Sequence, residues 1–164
     1  MRYAGLNPND ISAAPGVSVS FFTQGCPHHC KGCHNPETWD FDGGKEFTWD
    51  TMNEILDSIT ANGITRSLAI MGGEPLCEHN AFLTLLVCKT VKEKIPKAPI
   101  YIWSGYTYEH LKHIGDPHVR GVLEIADYLI DGPYVQELRD VTLPMRVSSN
   151  QNIINLNEIK ALEA

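Results

Sequence analysis

The sequence predicts an α/β fold built on a mainly parallel sheet. Short apolar runs rich in β-branched residues alternate along the chain with stretches of helical periodicity, the pattern of successive βα units. Each run ends in a turn that combines glycine with cysteine, glutamate, serine or aspartate. The 164 residues make one domain, spanning 1–164, able to bury roughly 70% of the surface its unfolded form exposes. That length is too short for a full eight-stranded (β/α) barrel.

The elements follow in order. Val17–Phe22 is the first predicted strand and runs directly into a cysteine-rich loop. Thr48 is a helix N-cap, after which Met52, Ile55, Leu56 and Ile59 fall at i, i+3, i+4 and i+7 on one face. Gly63 is the expected stop for that helix. Ser67–Met71 is a second strand, and Phe82, Leu83, Leu86 and Val87 form the apolar stripe of the next helix. Pro99–Trp103 is a third strand, Tyr128–Ile130 a fourth and Asn152–Leu156 a fifth. The turns that close the first four are Gln24-Gly25-Cys26, Gly72-Gly73-Glu74-Pro75, Ser104-Gly105-Tyr106 and Asp131-Gly132-Pro133. Ligands of α/β sheets bind at the carboxyl ends of the strands, so these turns are expected to converge on one site.

Composition excludes several classes. A net charge of −7 argues against nucleic acid as a partner. No stretch approaches the length of a transmembrane helix, and Met1–Pro8 has no apolar core of a signal peptide. A cytoplasmic location without membrane contact is the expectation. Five cysteines in such a chain are metal ligands more readily than disulfides.

Three of those cysteines stand in Cys26-Pro27-His28-His29-Cys30-Lys31-Gly32-Cys33, a C-x₃-C-x₂-C spacing with no fourth cysteine nearby. Three soft sulfurs suit a [4Fe–4S] cluster with one iron left open, or zinc with His28, His29 or His34 as fourth ligand. A disulfide would close a strained ring and leave one thiol over. Gly25 and Gly32 free the backbone to turn tightly around a metal. Cys88 falls in an apolar helix and reads as core; Cys77 reads as a buried thiol close to the site. Gly72 and Gly73 let a ligand approach the backbone at a strand end, Glu74 offers an acceptor for an ammonium, and Pro75 stiffens the turn. This turn, one βα unit after the cysteine loop, tips the loop toward the open cluster.

Together these motifs resemble the radical S-adenosylmethionine enzymes. The resemblance implies a truncated, incomplete (β/α) partial barrel and a [4Fe–4S] cluster on Cys26, Cys30 and Cys33. In that family the amino and carboxylate groups of S-adenosylmethionine chelate the open iron. It further implies that Gly72, Gly73 and Glu74 hold the amino end of S-adenosylmethionine and that Gly32, Cys33 and His34 face its adenine. Ser104 is the candidate for its ribose or carboxylate, with a helix cap as the plain alternative. The family often has an aromatic residue where Gly32 stands, and His34 offers a ring instead.

Finer segments narrow the resemblance. Cys33–Asp40, the Asn9-Asp10 region, Asp131-Gly132-Pro133-Tyr134 and Ser148-Ser149-Asn150-Gln151 are similar to the activating proteins of anaerobic ribonucleoside-triphosphate reductase, over roughly residues 7–158. The resemblance implies abstraction of a hydrogen atom from a glycine of the reductase catalytic subunit, with electrons from a low-potential donor such as flavodoxin. Asp131 and Tyr134 read as a strand-end turn and a packing aromatic. Two positions depart from the family pattern: Val147 stands in place of a glycine and Asn152 in place of an arginine. Other readings are a small radical enzyme with another partner, or a metal-binding module without catalysis.

Overall fold

A computed structural model describes residues 1–163. Seven strands form one sheet in the order β3-β1-β2-β4-β5-β6-β7. They are β1 (Arg2–Asp10), β2 (Ser18–Thr23), β3 (Lys45–Glu46), β4 (Ser67–Gly72), β5 (Ile100–Trp103), β6 (Tyr128–Asp131) and β7 (Asn152–Asn155). The centre, β2-β4-β5-β6, is parallel. The flanking pairs β1–β2, β1–β3 and β6–β7 are antiparallel. Five helices connect or follow them: α1 (Trp49–Ile59), α2 (Ala81–Lys94), α3 (Tyr108–His113), α4 (Pro117–Ile125) and α5 (Leu156–Glu163).

The strands bury one face against the helices. Val19, Phe21, Leu68, Ile70, Ile100, Ile102 and Leu129 share a single core with Met52, Ile55 and Ile59 of α1 and with Leu83, Val87 and Val91 of α2. Each such fully buried aliphatic side chain contributes about 1.5–3 kcal/mol relative to an exposed one. The alternate residues point the other way, since successive side chains of a strand face opposite sides. Tyr101 and Ile130 form a small second cluster with Ala14 there, against which Trp103, Tyr128 and Met145 pack. On the same face Ser18 and Ser67 share a hydrogen bond of 2.8 Å, and Ser20 donates to Asp10 at 2.6 Å.

Several expectations shift. A whole N-terminal strand, β1, precedes the one expected first, and with β3 it makes that edge of the sheet antiparallel. Thr48 does cap α1, its hydroxyl accepting from the Thr51 amide at 3.4 Å. Gly63 does not end that helix. The last helical residue is Ile59, and the Arg66 guanidinium takes the Ser58 and Ala61 carbonyls at 3.2 and 2.7 Å. The stripe of α2 is rotated from the expected one: Phe82 is exposed, whereas Thr84, Cys88 and Val91 are buried beside Leu83 and Val87.

Candidate functional site

The turns after β2 and β4 are joined through their backbones. Gly73 N donates to Thr23 O and Glu74 N to Gly25 O, both at 2.9 Å. Gly25 N in turn donates to Thr38 O at 2.7 Å and Cys26 N to Trp39 O at 3.2 Å, which anchors the start of the cysteine loop. The buried Asn80 amide bridges the pair, donating to Gly25 O and Glu74 O at 3.1 and 3.0 Å. Gly73 is required by this packing: a Cβ there would stand 2.4 Å from Gly25 O. Gly25 adopts φ 102°, open to glycine at little cost, and a Cβ on it would strike the Phe41 ring.

A cavity of about 470 Å³ opens where these turns meet. That lies within the range of ligand sites, roughly 300–1,000 Å³. Cys26, Cys30 and Cys33 line one side, and Gly72, Gly73 and Glu74 adjoin them. Ser104, Gly105 and Gly132 contribute from the turns after β5 and β6. The floor is the helix-free face of the sheet, through Met71, Trp103 and Ile130. His34 lines the cavity and lies against Tyr134, ring centroids 5.4 Å apart. Gly32 does not line it. It sits in an exposed turn at φ 76°, with the Gln136 side chain where a Cβ would go.

The fully buried Glu74 carboxylate is the most connected group of the site. Oε1 accepts from Gly105 N at 2.6 Å and pairs with His28 Nε2 at 2.7 Å. Oε2 accepts from Leu76 N at 2.8 Å and from Ser104 Oγ at 2.9 Å. Four donors fill the roughly four acceptor positions of a carboxylate. Through these bonds the carboxylate ties together the cysteine loop and the turns after β4 and β5. Ser104 is committed to Glu74, and its Oγ also accepts from Tyr106 N at 3.1 Å. It is not the cap of α3, which is Thr107.

His28 is the site residue that the sequence reading missed in this role. It entered only as a possible zinc ligand, and its partner lies 46 positions away. His29 turns outward and stacks on Trp39 at 4.5 Å. Asp131, nearly buried, accepts from Tyr108 N at 2.7 Å and from Asn152 Nδ2 at 3.2 Å, so it is a strand-end clamp. Gln151 orders the last turn, accepting from Val147 N and donating to Gly132 O.

All five cysteines are free thiols. Burial pushes the Cys26 thiol up to about 11, with the Glu74 and Cys30 charges acting in the same direction. Cys77, buried behind the same turn, is likewise raised to about 11, first by burial. Among the described residues no three Cys, His, Asp or Glu side chains converge on a point suited to a single ion. The three loop cysteines all line the same cavity, and three thiolates without a fourth are a donor set suited to a cube with one iron left open. A coordinated thiol is deprotonated outright, so loading the site would release the proton that burial retains on Cys26.

Comparison with known proteins agrees. Residues 13–154 match the family described as a 4Fe-4S single cluster domain. An iron–sulfur cofactor follows, and the zinc alternative gives way. Proteins named anaerobic ribonucleoside-triphosphate reductase-activating protein are similar over almost their whole length. The one from Vibrio cholerae is 34% identical over 93% of this chain and 97% of its own. That from Pasteurella multocida is 35% identical over 96% and 99%. That from Escherichia coli is 32% identical over 95% and 99%. With its cysteine wall, buried glutamate and full-length similarity, the chain belongs to the family of anaerobic ribonucleoside-triphosphate reductase-activating proteins.

Proposed function

We propose that the chain is a radical S-adenosylmethionine activase of anaerobic ribonucleoside-triphosphate reductase. The observation that carries the reading is the meeting of Cys26, Cys30 and Cys33 with the Gly72–Glu74 turn around one cavity. Bound there, a [4Fe–4S] cluster and S-adenosylmethionine would supply a 5′-deoxyadenosyl radical able to take a hydrogen atom from a glycine Cα of the reductase.

The chain's own residues supply position and shelter. Cys26, Cys30 and Cys33 would hold the cluster. Backbone groups of Gly72 and Gly73 take the ligand's amino end, while Glu74 keeps those groups in place. His34 and Tyr134 offer ring faces to the adenine, with Cys33 beside them. Among the described residues Arg146 is the one Lys or Arg side chain lining the cavity, a partner for the ligand's carboxylate. The half-sheet β2-β4-β5-β6 acts as a truncated, incomplete (β/α) barrel whose inner face is the cavity floor. Holding the radical carbon against the target in a dry cleft is the protein's share of the rate. Electrons come from a low-potential donor of the flavodoxin kind, and the enzyme works in the cytoplasm. No described helix is long and apolar enough to cross a membrane.

Anaerobic reconstitution tests this. The expected protein carries about four irons per chain. After reduction it releases methionine and 5′-deoxyadenosine from S-adenosylmethionine, and with the reductase it yields a glycyl radical signal in electron paramagnetic resonance. A fully loaded cluster that leaves S-adenosylmethionine intact overturns the proposal. A glycyl radical formed only on a different partner moves the assignment to another activase.

A further inference from the structure

His28 connects two segments that the proposed reaction needs in fixed register. It lies between the first and second cysteines of the loop, and its Nε2 is 2.7 Å from Glu74 Oε1 in the turn after β4. The imidazole is seated on three sides. Its edge meets Tyr106, centroids 4.5 Å apart at 69°. It fills the space left by the missing side chain of Gly105, where a Cβ would lie 2.6 Å from the ring. The third side is the Glu74 carboxylate.

The two ends of this bond are held very unequally. Glu74 keeps three further donors, Leu76 N, Gly105 N and Ser104 Oγ, from two elements. The stretch from Pro27 to Gly32 has far less. Among the described residues, its one hydrogen bond to another part of the chain is that of His28. The arm's other hold is the stack of His29 on Trp39, so breaking the bond would leave the Gly72–Glu74 turn in place and let the arm that carries Cys30 shift about that stack.

We propose that His28 is a positioning residue: through Glu74 it fixes the Cys26–Cys30 arm against the Gly72–Glu74 turn, and so sets where the cluster stands relative to the methionine end of S-adenosylmethionine. This rests on the reading of the cavity given above. The logic is that of outer partners in metal sites generally, where loss of a group that orients a ligand costs roughly 10–100-fold in affinity or activity. On this account a side-chain amide donor of similar reach at position 28 restores the bond.

His28→Leu and His28→Gln, each in the full chain and reconstituted anaerobically, test this. Iron per chain is measured first. The reduced cluster is then titrated with S-adenosylmethionine by electron paramagnetic resonance, and KM and kcat are taken for 5′-deoxyadenosine release. All three proteins are expected to carry the same iron. His28→Leu needs about 10-fold or more S-adenosylmethionine for half the spectral change and shows it in KM. His28→Gln restores most of the response. His28→Leu titrating like wild type overturns the proposal, as does His28→Gln failing equally. Iron lost from His28→Leu alone also overturns it, by making His28 a residue of loop folding. A wild-type cluster that ignores S-adenosylmethionine removes the cavity reading itself, and that result needs no variant.

Discussion

Gly73→Ala separates two reasons for a glycine at a strand end: room for a ligand, or room for backbone. The new Cβ would lie 2.4 Å from Gly25 O, 2.9 Å from Gly25 C and 3.0 Å from Thr38 O. All three are main-chain atoms in a buried turn, so no side chain can swing aside. The turns after β2 and β4 must part, lengthening the 2.9 Å bonds from Gly73 N to Thr23 O and from Glu74 N to Gly25 O. Overpacking of this kind costs about 1–3 kcal/mol. Two weakened backbone bonds add about 0.5–1.5 kcal/mol each. Together that is about 2–6 kcal/mol, a large part of the roughly 5–15 kcal/mol that holds a domain together. At about 2–4 °C per kcal/mol for this chain length, Tm falls by about 4–24 °C. The assay is thermal unfolding by circular dichroism on iron-free, ligand-free protein, where no cofactor contact can contribute. A Gly73→Ala protein within about 2 °C of wild-type Tm refutes the reasoning, because one lost kcal/mol already moves Tm that far.

Other consequences can be checked alongside. Cys30→Ala and Cys33→Ala should fold and lose cluster iron, measured by iron content and the visible spectrum. Cys77→Ala and Cys88→Ala should keep the iron, Cys88→Ala losing about 1–2 kcal/mol from a fully buried site in urea unfolding. Asp127 joins Lys92 Nζ at 2.8 Å, Ile100 N at 2.8 Å and Asn157 Nδ2 at 2.8 Å, which fastens β5, α2 and α5. Burial works to raise the Asp127 carboxyl, but these partners prevail and hold it below the ordinary 3.8. Its stabilisation is therefore present above that value and is lost as pH falls through the lower folded one. Asp127→Asn should flatten the acid limb of a Tm–pH curve, and an unchanged limb would count against the clamp.

What the sequence made legible was local. The C-x₃-C-x₂-C spacing, the Gly72–Pro75 turn and the Thr48 cap each lie within one short segment, and parallel strands announce themselves by continuous apolar runs. β1 was hidden for the opposite reason. Asn7-Pro8-Asn9-Asp10 reads as a turn, yet it lies in an antiparallel strand whose register shifts twice, between Tyr3 and Gly5 and between Asn7 and Asp10. Such irregularities are where a strand tolerates proline and glycine. Gly63 drew the helix end away from Ile59 because Arg66, a residue of the next segment, supplies the carbonyl partners. Within the site, the cysteines were found and the His28–Glu74 bond was not. No periodicity relates two positions that meet only when the β2 and β4 turns pack together.

The two departures near the C-terminus also become intelligible only in three dimensions. Val147 stands where the family usually has glycine, but it needs no left-handed backbone here: the positive φ in this segment belongs to Met145, at 58°. A left-handed non-glycine residue costs roughly 1–2 kcal/mol. Its carbonyl accepts from Trp103 Nε1 at 2.8 Å, a bond that offsets part of this and ties the segment to β5. Val147 itself is held through its amide, which donates to Gln151 Oε1 at 2.9 Å, so its side chain is free to line the cavity. Asn152, in place of arginine, reaches Asp131 with an amide. A longer cation at that position would also meet this carboxylate, so the contact survives the exchange while its charge does not. Both changes leave the cysteine wall and the Glu74 hub untouched. Of the two, Val147 lines the cavity, with Val141, Leu143, Met145, Arg146 and Gln151 of the same segment, while Asn152 acts outside it through Asp131.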